Sequence, residues 1–539
     1  MLRSISKASS RSYRLSLRNF PAHNRHRAPV PSYMTVTPKS PTIRILHRQA
    51  LHSEATKTAT ITPIPAASIK MPATPTSPPG PAHVRKYVHE TSQPSNPFSR
   101  FLTQSYCIVP SYTLESGVTL KQVPVAYKTF GELSPSGDNV MVVCHALTGG
   151  ADVGDWWEPL LGPGKALDTS RFFIICLNNL GSPYGSVSPV TINPETGEPY
   201  GPEFPLTTIR DDARLHRLVL EDLGIEQVAI VIGGSLGGMI ALEWAYFGAR
   251  YVRNIVALAT SARNSAWCIS WGEAQRQSIY SDPVYDDGYY DPLHQPVAGL
   301  AAARMSALLT YRSRNSYESR FGRNAPDPSR VTHQSGVRPP SSPSEEHWAN
   351  HNEGFRQGRR LQSTPGSPVS PTKGSNSEYN RRHKSPMFSA QTYLRYHADK
   401  FVKRFDANCY IATSRKMDTH DVSRGRADSI PEALAMIEQP ALIVGIESDG
   451  LFPFSEQQEL AEYIPNAQLS TIYSPEGHDA FLIEFKTVNE AILGFMNEVL
   501  PDIMEREVRG AVNGTSNAEV GEAKKTSFFG AAEVDIVSW

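Results

Sequence analysis

Residues 227–248 read QVAIVIGGSLGGMIALEWAYFG, and this stretch constrains the fold more than any other part of the chain. The run VAIVI at 228–232 is short, continuous and apolar, as a fully buried strand is, and a helical run opens at Met239 and Ile240. Between them Gly233-Gly234-Ser235-Leu236-Gly237 fits G-x-S-x-G on a strand-to-helix turn. A nucleophile on so sharp a turn has strained backbone angles and crowded neighbours, so the flanking positions must lack a Cβ. The bare motif would also suit a glycine-rich turn with an incidental serine. The strand before it and the helix after it favour a nucleophile.

The rest of the middle of the chain repeats the strand-helix alternation. Residues 106–109, 118–120 and 123–127 read as short strands of an antiparallel start, and 139–145 and 171–177 as buried strands. Ile209, Ala213, Leu215, Leu218, Val219 and Leu223 recur at helical spacing, with Gly224 as the stop. After the elbow come a strand at 254–259, then helices at 266–278, 298–311 and 389–405 with no strand between them. The alternation resumes with ALIVG at 441–445, a helix at 456–463, a strand at 468–473 and a helix at 479–499. The pattern predicts an α/β class with a mainly parallel central sheet and a helical lid inserted after the sixth-strand region. The core is expected at residues 101–262 and 427–508, and the lid at 263–426.

The flanks differ in composition. Residues 1–53 contain no Asp or Glu but ten Lys and Arg, the composition of a mitochondrial transit peptide, expected over 1–55; a basic tail in a cytosolic protein is the alternative. Residues 56–100, rich in Pro, Thr, Ser and Ala, read as a linker, 322–386 as a disordered insertion and 509–539 as a tail. The whole chain of 539 residues balances 53 basic against 53 acidic residues, so charge supplies no argument for nucleic acid or a membrane surface. No stretch approaches the roughly 20 apolar residues of a membrane helix, and the chain reads as soluble. Its five cysteines are widely spaced; Cys144 and Cys176 fall in apolar runs, as buried small hydrophobes rather than a disulfide or zinc framework.

A serine needs an imidazole to take its proton and a carboxylate to orient that imidazole. In the arrangement that uses this elbow, the partners follow in the order acid then His, on turns after late strands. Asp449 lies just beyond ALIVG and His478 beyond the last strand, so the predicted triad is Ser235, Asp449 and His478. Glu447 is the rival acid, and Asp479 sits too close to His478 to orient it easily. The oxyanion donors would be the backbone amides of Leu236, next to the nucleophile, and Leu147, in the loop HALTGG. This chemistry is acyl transfer to water or to another hydroxyl.

The strings HALTGGADV, GPGKALDTSRFFIICLNNLGSPYGS, GGSLGGMIALEWA, YLRYHADKFVKRFDANCY and SPEGHDAF resemble the homoserine O-acetyltransferases over residues 105–496, outside the insertion. The resemblance implies an α/β-hydrolase fold and a ping-pong reaction. On this resemblance Ser235 would take the acetyl group of acetyl-CoA and pass it to the hydroxyl of L-homoserine for methionine biosynthesis. It implies no metal and no tightly bound cofactor, small-molecule substrates as the partners and a homodimer. It also implies Arg304, Tyr311 and Asp479 as substrate-binding residues: a guanidinium suits the carboxylate of a zwitterion and a carboxylate its ammonium. Arg304 and Tyr311, seven residues apart, would share a helix face. The insertion and the basic extension depart from the usual bacterial pattern, and the family expectation is a cytosolic enzyme. Serine as acceptor, succinyl-CoA as donor, an esterase or thioesterase, and a non-catalytic scaffold remain alternatives.

Overall fold

The three apolar runs read as buried strands lie side by side in a computed structural model, which describes residues 85–92, 96–99, 102–325, 343–351 and 388–507. The strands are β1 Val88–Glu90, β2 Ser105–Thr113, β3 Thr119–Phe130, β4 Val140–Cys144, β5 Phe173–Leu177, β6 Ile230–Gly234, β7 Ile255–Leu258, β8 Ala441–Ile446 and β9 Ala467–Ile472. They form one sheet in the order β1-β2-β3-β5-β4-β6-β7-β8-β9. Pairing is antiparallel from β1 to β5 and parallel from β5 through β9. Every residue of β4, β6, β7 and β8 is buried, as a parallel sheet covered on both faces requires.

The side chains of β4 alternate between two cores. Val140, Val142 and Cys144 pack with helices α1 (Ile209–Asp222) and α2 (Leu236–Ala245), while Met141 and Val143 face the opposite way. Helix α1 starts in a reciprocal cap: Thr208 Oγ1 accepts from Asp211 N, and Asp211 Oδ2 accepts from Thr208 N. Between β7 and β8 the described helices include α3 Ala266–Tyr280, α4 Val297–Tyr311, α5 Arg314–Arg320, α6 Pro343–His351, α7 Ser389–Phe401 and α8 Ala407–Asp418. Helix α4 packs against α3 and α7. Helices α9 (Phe454–Tyr463) and α10 (Phe485–Val499) complete the core. Among the described residues no helix is long and apolar enough to cross a membrane, and all five cysteines are buried and free.

Several expectations need correction. The strands expected at 118–120 and 123–127 are one continuous β3, because exposed Lys121 and Gln122 read as a turn yet both stay within the strand, Lys121 opposite Ser111 of β2. The helix expected to reach 405 ends at Phe401, and α8 begins anew behind Asp406, whose side chain accepts from Cys409 N. The helix expected at 479–499 is a 3₁₀ turn, Gly477–Leu482, followed by α10.

The linker expected at 56–100 contains β1, held by distant partners. Asp222 accepts from Lys86 N at 2.7 Å, from Tyr87 N at 3.1 Å and from the His89 ring at 3.0 Å, and Asn96 Nδ2 donates to Pro183 O. His89 and Asp222 cluster with Cys107, but the second His89 nitrogen is 2.8 Å from Tyr127 Oη. Both ring nitrogens are therefore engaged, and the trio acts as a strand latch. The insertion expected to be disordered over 322–386 contains helix α6. Residues 326–342 and 352–386 of the insertion, residues 1–84 and the tail at 509–539 lie outside the described residues.

Candidate active site

Ser235 sits between β6 and α2 with φ 58° and ψ −124°, a conformation that costs a non-glycine residue on the order of 1–3 kcal/mol. The surroundings hold it there: Ser235 N donates to Leu258 O at 2.9 Å, and Thr260 Oγ1 donates to Ser235 O at 2.9 Å. The flanking glycines are sterically required. A Cβ on Gly233 would lie 2.1 Å from Gly237 O, and one on Gly237 would lie 2.1 Å from Cys144 O. The second contact also brings the start of α2 against the end of β4, beside the HALTGG loop.

Ser235 Oγ lies 2.9 Å from His478 Nε2, and His478 Nδ1 lies 2.7 Å from Asp449 Oδ2. Asp449 Oδ1 accepts from Leu451 N and Phe452 N at 2.8 and 2.9 Å, which fixes the carboxylate in the turn after β8. A carboxylate can only accept, so Nδ1 carries the proton and Nε2 is free to accept from Ser235. All three residues are buried, whereas the rival acid Glu447 is exposed and makes no contact with the imidazole. Burial alone would lower the His478 pKa; the adjacent Asp449 carboxylate outweighs it, and the net shift is upward. The loop carrying His478 is pinned as well, since Gly477 N donates to Ser448 Oγ at 3.0 Å.

Of the predicted oxyanion residues, Leu236 follows Ser235 directly and Leu147 lines the same cleft as Ser235. Leu236 N opens helix α2 and has no intrahelical acceptor. Neither it nor Leu147 N bonds to a backbone carbonyl among the described residues. The loop that carries Leu147 is held by Gly149 N donating to Ala146 O and by Arg404 donating to Thr148 O at 3.1 Å.

Ser235 and His478 open onto a cleft whose lining also includes Leu147, Arg304, Tyr311 and Asp479. The seven-residue spacing does bring Arg304 and Tyr311 together: the guanidinium lies 5.5 Å from the Tyr311 ring centre and 4.9 Å from that of Phe401. Among the described residues no carboxylate is in ion-pair contact with Arg304, and its Nε is buried without a hydrogen-bond partner. Asp479 does have a cation beside it, Arg312, whose Nε is 3.2 Å from Asp479 Oδ2. Burial raises the Asp479 pKa, opposed by Arg312, His478 and Arg304.

The pairing with Arg312 escaped the sequence reading. Arg312 also pairs with Glu476, which takes further bonds from Ser316 Oγ at 2.8 Å and Arg320 Nη2 at 2.6 Å. This buried cluster ties the junction of α4 and α5 to the histidine loop. The signal was present in sequence, since Arg312 follows Tyr311 and Glu476 precedes His478 by two positions, but nothing local shows that they meet.

The family described as alpha/beta hydrolase fold matches residues 139–485. The homoserine O-acetyltransferase of Ascobolus immersus is 60% identical over 480 residues, covering 78% of this chain and 93% of that protein. That of Emericella nidulans is 58% identical over 480 residues, covering 83% and 97%, and that of Saccharomyces cerevisiae 53% identical over 477 residues, covering 84% and 97%. Two solved structures at 24% identity share the fold. A homoserine O-acetyltransferase from Bacillus anthracis has a TM-score of 0.57 and covers 75% of this chain and 98% of its own. Esterase E22 has a TM-score of 0.55 and covers 72% and 98%. Fold, elbow and relatives agree: the chain belongs to the homoserine O-acetyltransferases, acyltransferases built on the α/β-hydrolase fold.

Proposed function

We propose that the chain moves an acetyl group from acetyl-CoA to the side-chain hydroxyl of L-homoserine through an acetyl-Ser235 intermediate. Ser235 Oγ attacks the thioester carbonyl as His478 Nε2 takes its proton, and the Leu147 and Leu236 amides hold the oxyanion. The carbon–sulfur bond then breaks, and His478 returns the proton to the departing CoA thiolate. In the second half the hydroxyl of homoserine loses its proton to His478 and attacks the acetyl carbon. Ser235 Oγ leaves and recovers the proton, giving O-acetyl-L-homoserine, a precursor for methionine biosynthesis.

The observation that carries this reading is one cleft lined by the hydrogen-bonded Ser235–His478 pair together with Arg304, Tyr311 and Asp479, residues suited to an amino acid's two charges. A zwitterionic acceptor satisfies both charges, whereas water uses neither. The test is CoA release from acetyl-CoA with L-homoserine, L-serine or no acceptor. Turnover that depends on homoserine is expected. Equal release without an acceptor refutes transfer, and a strong preference for serine refutes homoserine. Succinyl-CoA in place of acetyl-CoA tests the donor in the same assay. The acid-free start of the chain supports a mitochondrial matrix destination, against the cytosol expected from the family. A reporter fused to residues 1–60 that stays cytosolic refutes it.

A further inference from the structure

His397, on α7, also lines the cleft, and the reaction described above gives it no task. It is only 6% exposed, and its Nε2 is buried without a hydrogen-bond partner. The ring does not stand loose. It packs against Tyr393 at 4.5 Å and Tyr396 at 5.1 Å between centroids. Phe401 lies four residues further along α7, hence on the same helix face, and Arg304 sits over its ring. Two buried nitrogens without hydrogen-bond partners, Arg304 Nε and His397 Nε2, thus belong to residues that line one cleft from two different helices. Buried polar groups are nearly always bonded, and a pair left unbonded in the lining of a nucleophile's cleft points to a ligand's acceptors.

The electrostatics say which kind of ligand. Burial lowers the His397 pKa to about 3, with Arg304, Lys400, Arg312 and Arg404 acting in the same direction. The imidazole is therefore neutral, and in its Nε2–H tautomer that nitrogen donates one hydrogen bond. The cations around it disfavour an ammonium group and favour an anion. We propose that His397 is a specificity-determining residue of the acceptor site, its Nε2–H donating a hydrogen bond to the acceptor's carboxylate beside Arg304. The inference rests on the amino-acid acceptor proposed above, and it adds a second carboxylate donor supplied by a different helix.

The test compares L-homoserine with 3-aminopropan-1-ol, the same acceptor without its carboxylate. His397→Leu and His397→Phe should raise the KM for homoserine about ten-fold or more, the worth of one hydrogen bond to a charged group. The kcat and the burst of CoA released without acceptor should change little. Toward 3-aminopropan-1-ol the same variants should lose nothing further. His397→Gln, which keeps an N–H donor at similar reach, should recover most of the KM. The burst certifies a folded site, and the two apolar variants are independent attempts at one. An unchanged homoserine KM, or an equal loss with both acceptors, overturns the assignment. Failure of the transfer reading itself appears separately, as wild-type CoA release that homoserine does not increase.

Discussion

Replacing Asp449 by asparagine tests the catalytic arrangement because the turn dictates how the amide must sit. Oδ1 of Asp449 accepts two backbone N–H bonds, from Leu451 and Phe452. An asparagine must leave its carbonyl oxygen there, since an NH₂ group would face two donors. Its NH₂ then takes the place of Oδ2, 2.7 Å from His478 Nδ1. A donor at that position needs a lone pair on Nδ1, so the imidazole proton moves to Nε2. Nε2 lies 2.9 Å from Ser235 Oγ and can no longer accept its proton. Loss of the required tautomer costs on the order of 10⁴ in rate, about 5 kcal/mol of barrier. The assay is rapid-mixing measurement of CoA release from acetyl-CoA alone, which isolates acylation. The expected result is a burst slowed by about that factor in a protein that still folds. An Asp449→Asn enzyme acylating at more than about a tenth of the wild-type rate refutes the tautomer argument and the role given to Asp449.

Three further outcomes are expected. Acylation needs neutral His478, whose pKa is raised, so kcat/KM should fall as pH drops through a value above the ordinary imidazole pKa of about 6.5. A profile whose acid limb lies below that value contradicts the Asp449–His478 coupling. Arg312→Met leaves Asp479 without its adjacent cation, and the homoserine KM should rise about ten-fold or more while the CoA burst amplitude persists; an unchanged KM shows that Asp479 does not depend on Arg312. Lys416, fully buried, pairs with equally buried Asp212 at 2.5 Å and donates to Leu180 O. Lys416→Met should lower unfolding stability in urea by about 3–5 kcal/mol, because a buried carboxylate is left uncompensated. A loss below about 1 kcal/mol shows that Asp212 takes up a proton or water at little cost.

Much of the site was legible in sequence because its determinants are short or follow an order rule. The elbow is a steric property of five consecutive residues, and the contacts a Cβ would make at Gly233 and Gly237 show why. Asp449 and His478 were found because each lies on a turn directly after a strand in the expected order. Arg304 and Tyr311 were placed by resemblance and by helical spacing, and that spacing survives folding.

The residues that escaped belong to pairs made by folding alone. His89 and Asp222 are 133 positions apart, and Arg312 and Glu476 are 164 apart. In sequence each is an ordinary polar residue, and β1 itself sits in a stretch whose composition reads as linker. Helix periodicity, turn chemistry and a strained serine are decided within a few bonds of the chain, so the sequence by itself determined the α/β class, the nucleophile and its two partners. Tertiary structure decided which buried charges meet. It paired Asp479 with Arg312, left Arg304 Nε and His397 Nε2 buried without hydrogen-bond partners, and latched β1 to the end of α1. Burial and charge pairing depend on elements that approach only once the sheet is assembled, and no local pattern in the chain encodes that approach.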